Sequence, residues 1–195
     1  MKTLLVMISF AGSIVLTACG NNNSAQQQEI KKDTTSGNAT ATNESHMVNT
    51  GISSVLDGYL SIKNALATDD GNKAASSAKN LNDALSKVNE SAMSQDVKKV
   101  YTEVKADILE HAEHIGANAS NIAHQREHFD ILSKDVIDLV NATGSSQTLY
   151  KDFCPMYNGK KGAFWLSETK DISNPYYGKT MQTCGELKQE IGPKG

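Results

Sequence analysis

Four stretches of this chain repeat apolar side chains at spacings of three and four, the period of one face of an α-helix. Val55, Tyr59, Ile62 and Leu66 make the first stripe. Ala74, Ala78, Leu81, Leu85 and Val88 make a second, whose alanines allow close helix approach. Val97, Tyr101, Val104, Ile108, His111 and Ile115 make the third, and Ile122, Phe129, Leu132, Val136 and Leu139 the fourth. Stop and cap signals separate them: Thr68-Asp69-Asp70-Gly71, Ser94, Gly116-Ala117-Asn118 with Ser120 as the next cap, and Thr143-Gly144. Each stripe has to be buried, and four helices of about twenty residues with short connections do so as an antiparallel four-helix bundle. No β-rich runs alternate with the helices, so a parallel sheet does not fit. The expected fold class is all-α, in one domain over 46–191.

What precedes the first stripe points to a compartment. "MKTLLVMISFAGSIVLTACGNNN" has Lys2, then an apolar run from Leu4 to Leu16, then small residues before Cys19. A charged start and an apolar run too short to span a bilayer comfortably make a secretory signal. Leu16-Thr17-Ala18-Cys19 resembles the lipobox of bacterial lipoproteins, a resemblance that implies cleavage after 18 and acylation of Cys19. Gly20 stands where aspartate is associated with inner-membrane retention, so the expected address is the outer membrane, facing the periplasm. Residues 19–45 are rich in Asn, Gln, Ser and Thr, with Ile30 as the one sizeable apolar side chain, and read as a flexible tether.

Charge excludes one class of partner. Without residues 1–18 the chain keeps 18 basic and 22 acidic side chains, and a mildly acidic protein has no electrostatic footprint for nucleic acid.

The segment 145–191 is of different material. It contains the only tryptophan, four of the six tyrosines and glycines at 159, 162, 178 and 185. Such a piece makes turns and short irregular structure, and must pack on the bundle through Phe153, Phe164, Trp165 and Leu166. It also gathers sulfur, in Cys154-Pro155-Met156 and in Met181-x-x-Cys184. Thiolates and thioethers are soft ligands that select Cu(I) or Ag(I). The alternative is a Cys154–Cys184 disulfide, which would close a loop of about thirty residues and stabilise it by about 3–4 kcal/mol. In the oxidising periplasm the residues alone favour the bridge slightly, with the methionines as packing.

The tail as a whole resembles the domain-of-unknown-function family DUF 3347, found in small bacterial lipoproteins and beside copper/silver efflux adaptor subunits. The resemblance rests on Cys154-Pro155-Met156, Gly162-Ala163-x-Trp165-Leu166-Ser167, Asn174-Pro175-Tyr176-x-Gly178 and Met181-x-x-Cys184-Gly185. It extends upstream through "HQREHFDILSKDVIDLV" and "VLDGYLSIKNAL", from about Val48 to Ile191. Asn158-Gly159-Lys160-Lys161 departs from it, being shorter and more basic than the acidic loop associated with that position. The resemblance implies heavy-metal handling, Cu(I) or Ag(I), in the company of a metal-efflux system. It shifts the reading of Cys154, Met156, Met181 and Cys184 towards a metal site, with Trp165 and Tyr157 shielding it. It also adds His128, because "QREHF" lies within the resembling stretch.

Histidine makes a second constellation. His111 and His114 are three apart, and His124 and His128 four apart, so each pair shares a helical face. A hairpin turning near Asn118 brings all four to one end of the bundle, a set suited to Cu(II) or Zn(II). The bland reading is a hydrogen-bonded seam residue at His111 and three solvated side chains. Glu110, Glu113 and Glu127 flank the histidines, but there is no glycine-rich phosphate loop, no Gly-x-Ser-x-Gly and no His-Glu-x-x-His. An enzyme is not expected. The expected protein is a tethered periplasmic metal buffer or chaperone, and the alternative is an envelope interaction module stapled by a disulfide.

Overall fold

The computed structural model describes residues 39–193. The expected signal segment 1–18, the acylated Cys19 and the tether up to residue 38 lie outside the described residues. Four long helices come first: α1 (Ala39–Ala67), α2 (Gly71–Leu85), α3 (Gln95–Ala117) and α4 (Ile122–Thr143). The first turns of α1 occupy the end of the stretch read as tether, where the sequence Ala39-Thr-Ala-Thr-Asn-Glu-Ser45 holds no proline or glycine to stop a helix. Among the described residues, no helix is long and apolar enough to cross a membrane.

Helix ends follow local chemistry. Asp70 caps α2 by accepting the Lys73 N–H, and Ser94 caps α3 by accepting the Val97 N–H. The cap of α4 is Asn121 rather than Ser120, its side-chain oxygen accepting the His124 N–H at 3.2 Å. Asparagine competes for an N-cap as well as serine does, and here it stands one residue nearer the stripe. The helix α2 stops at Leu85, so Val88 packs against the core from the following turn instead of from the helix.

The four stripes meet in one core. Tyr59, Ile62 and Leu66 of α1, Leu81 of α2, Tyr101, Ile108 and Ile115 of α3, and Phe129 and Leu132 of α4 are all fully buried. Sequential helices pack on one another, and α1 also meets α4. The contact of α1 with α2 is close enough that a β-carbon on Gly58 would lie 2.8 Å from that of Leu81.

The tail is not irregular, as the sequence suggested, but a small antiparallel sheet. Its strands are β1 (Leu149–Cys154), β2 (Ala163–Ser167) and β3 (Glu186–Ile191), in the order β2-β1-β3. Tyr150 pairs with Ser167, Asp152 with Trp165 and Cys154 with Ala163, while β3 pairs along the other edge of β1 through a register shift at Lys151/Asp152. The correction has a physical cause: "LYKDFC" and "AFWLS" carry the aromatic and apolar side chains that fit a pleated, half-buried surface. The glycines and prolines lie between these runs. The sheet docks on the helices chiefly through β2 against α4. The Tyr59 hydroxyl fastens the joint, accepting the Leu166 N–H at 3.0 Å and sharing a hydrogen bond with Ser133 at 2.9 Å.

Candidate metal centre

The sequence-derived ligands fall into two groups. The first is the pair of tail cysteines. Cys154 ends β1, fully buried, and Cys184 stands half-buried just before β3. Both are free thiols, and they are neighbours, since Cys154 acts on the Cys184 thiol. Burial, reinforced by the neighbouring Cys154, raises the pKa of Cys184 above the usual thiol value.

Backbone chemistry puts Cys184 there. Its N–H donates to the Met181 carbonyl at 3.0 Å, closing a tight turn. The buried Asn174 then fixes that turn to the preceding loop. Its side-chain N–H donates to the Cys184 carbonyl at 2.6 Å, and its own N–H donates to Gln182 at 2.8 Å. Its side-chain oxygen accepts the N–H groups of Tyr176 and Tyr177. Gly185 follows, where a β-carbon would lie 2.8 Å from the Trp165 ring. Trp165 therefore sits against the residue next to Cys184, while Tyr157 is stacked on Tyr176 at 4.3 Å. Met156 is 43% exposed and Met181 half-buried.

The second group is histidine. The α3–α4 hairpin brings His111, His114, His124 and His128 together, four of the chain's five. His128 is the hub. Its Nδ1 lies 3.0 Å from Nδ1 of His111, and its Nε2 lies 3.2 Å from Nε2 of His124. Its ring is stacked parallel to that of His114 with centroids 4.2 Å apart. His124 has a further partner in Glu127, whose carboxylate is 3.3 Å from Nδ1. Burial depresses the pKa of His111, and that of His128 is depressed by burial and by its histidine neighbours. The hydrogen bonds and ring contacts of His128 are all with histidines, so the structure groups it with those three.

Two features under the sheet were not legible from sequence. Lys63 is buried, 3.0 Å from Glu168 and within 3.4 Å of the Ser167 hydroxyl. Near it is Asp152, also buried, with neither carboxylate oxygen hydrogen-bonded; burial pushes its pKa up to about 7, against the pull of Lys63. Lys63 stands four residues after Tyr59 and three before Leu66, on the stripe itself, but the sequence does not say that the distant Glu168 receives it. Asn174 did carry a signal, since an asparagine before proline is a turn former able to hold nearby backbone groups.

Comparison with curated proteins and with solved structures finds no match. One family model matches, described as Protein of unknown function (DUF3347), over residues 55–148. The match starts in the α1 stripe and ends one residue before β1, so it contains all four clustered histidines and neither tail cysteine. It is therefore shorter than the stretch from Val48 to Ile191 read from the sequence, and the tail motifs lie beyond it. Residues 55–148 therefore match the model of that family of unknown function.

Proposed function

We propose that this chain is a membrane-tethered heavy-metal-binding protein of the periplasm, a buffer or chaperone for Cu(I) or Ag(I) with no catalytic step of its own. In this reading Cys19 carries the lipid, and the four helices form an antiparallel bundle on which the sheet presents the sulfur ligands to a metal-efflux system. The observation that carries the proposal is that the two free thiols of Cys154 and Cys184 are neighbours. Two soft sulfurs, one at the end of β1 and one just before β3, suit a monovalent soft ion. Met156 and Met181 flank them in sequence and supply thioethers as exchangeable further ligands. A partly exposed site of this kind allows ligands to be replaced one at a time, as transfer requires.

The same proximity favours a second reading, in which the pair closes as a disulfide and the domain binds a protein partner. The test is a Cu(I) titration of the reduced chain without oxygen, against a chromophoric competitor. Tight one-to-one binding, lost in Cys154→Ser/Cys184→Ser, is the expected result. Failure to compete, with rapid copper-insensitive closure of a Cys154–Cys184 bridge in air, replaces the buffer by the stapled module.

A further inference from the structure

We propose that the imidazoles of His114, His124 and His128 form a second metal site, for a divalent first-row cation such as Zn(II) or Cu(II), with His111 as a positioning residue outside the ligand set. The site is separate from the thiol pair and does not depend on it.

The ligand assignment comes from the nitrogen atoms. One ring nitrogen from each of His114, His124 and His128 lies within 4.8 Å of the other two. A tetrahedral ion with metal–nitrogen bonds of 2.0–2.1 Å places its ligand nitrogens about 3.4 Å apart. The Nε2 atoms of His124 and His128 are already 3.2 Å apart. His114 is exposed on α3 with its ring stacked on that of His128, so binding requires its ring to turn until one nitrogen faces the ion. Three imidazoles leave a tetrahedral ion one open position for water or an exchanging ligand. With no sulfur among them, the set suits Zn(II) and Cu(II) and is poorly matched to the soft ions of the thiol pair.

The remaining contacts supply what a histidine ligand needs behind it, a partner for the nitrogen that does not bind the metal. Glu127 lies 3.3 Å from Nδ1 of His124, so His124 holds its proton there and turns a lone pair on Nε2 towards His128. For His128 that partner is His111, through the Nδ1 to Nδ1 contact of 3.0 Å. In the metal-free chain one of the two facing Nε2 atoms carries a hydrogen. On binding, both must offer lone pairs, so His128 changes to the tautomer protonated on Nδ1 and donates to Nδ1 of His111. His111 answers by carrying its own proton on Nε2. All three rings stay neutral, and only the positions of the hydrogens change.

The test uses the full chain, reduced, titrated with Zn(II) against a competing chelator, and with Co(II) followed by its visible absorption. The expected result is one ion per chain in a tetrahedral nitrogen environment, without thiolate charge-transfer bands, and unchanged affinity in Cys154→Ser/Cys184→Ser. His128→Ala should weaken binding more than 100-fold. His111→Ala should weaken it about 10–100-fold, and His111→Gln less, because its amide oxygen can accept the same hydrogen bond. Nitrogen-15 spectra of the imidazoles guard against misfolding as the cause: Zn(II) should move the Nε2 signals of His124 and His128 and leave both nitrogens of His111 unligated. Equal affinity in His128→Ala and the unmodified chain would overturn the site. Loss of binding in the cysteine variant would move the ion to the tail, and a ligated His111 would overturn its positioning role.

Discussion

Asp135 lies on α4, half-buried, with one carboxylate oxygen sealed from water and no hydrogen-bond partner. Burial, with Asp107 of α3 and Asp138 of its own helix, raises its pKa to about 6, against the pull of Lys134. In the unfolded chain the group titrates near 4. Between those values the folded protein holds the proton and the unfolded chain does not, so this group favours the fold at acid pH and that contribution is lost as pH rises through 6. Asp135→Asn should therefore leave stability at pH 4 nearly unchanged and raise it at pH 7.5. The gain should be about 1 kcal/mol once solvent screening at this half-buried position is allowed for. Urea unfolding of both proteins at the two pH values checks it; an equal difference at both would remove Asp135 from the pH response. At this scale the sequence was informative where spacing alone decides the outcome. Four histidines three and four apart had to share faces, and they do. Asp152 and Lys63 were opaque because a charged side chain goes inward only when its neighbours in space, distant in sequence, make room for it.

Among the elements, α4 has the most consequential start. The Asn121 oxygen holds the N–H of His124, the third residue of the helix, so the cap and a proposed metal ligand belong to the same turn. Asn121→Ala should cost about 1 kcal/mol of stability. It should also weaken Zn(II) binding through fraying of that turn, while Cu(I) binding at the tail stays as it was. Parallel denaturant and metal titrations separate the two effects, and equal losses for both ions would point to general unfolding. The four helices were readable because each stripe runs for three turns or more. The strands were not, being five or six residues long, too short for a period of two to stand out among the surrounding turn formers. Moreover, β3 is exposed at every residue but Ile191 and shows almost no apolar alternation, so only its pairing with β1 makes it a strand.

The molecule as a whole is held together across its elements by Arg126, which no spacing predicts. Its guanidinium donates to the Leu66 carbonyl at the end of α1 and to the Pro175 carbonyl in the tail, and pairs with Asp69 at 2.6 Å. Asp69 in turn accepts the Lys179 N–H, and Gly178 lies so close to this pair, at a φ of 54°, that a β-carbon there would collide with it. The loop that positions Cys184 is thus anchored to α4, the helix that carries His124 and His128. The aromatic tail had to fold back on the helices, but its seat was not legible, since an arginine on an exposed-looking helical turn does not reveal which carbonyls it will find.

The chain's only tryptophan is also part of that arrangement. Trp165 is wholly enclosed, with its ring against Gly185 and edge-on to Tyr176. Its light emission therefore belongs to one place in the protein, beside the thiols and on the sheet rather than in the α3–α4 hairpin. The molecule carries its own optical probe, able to separate an ion captured by sulfur from one captured by imidazole without any added label.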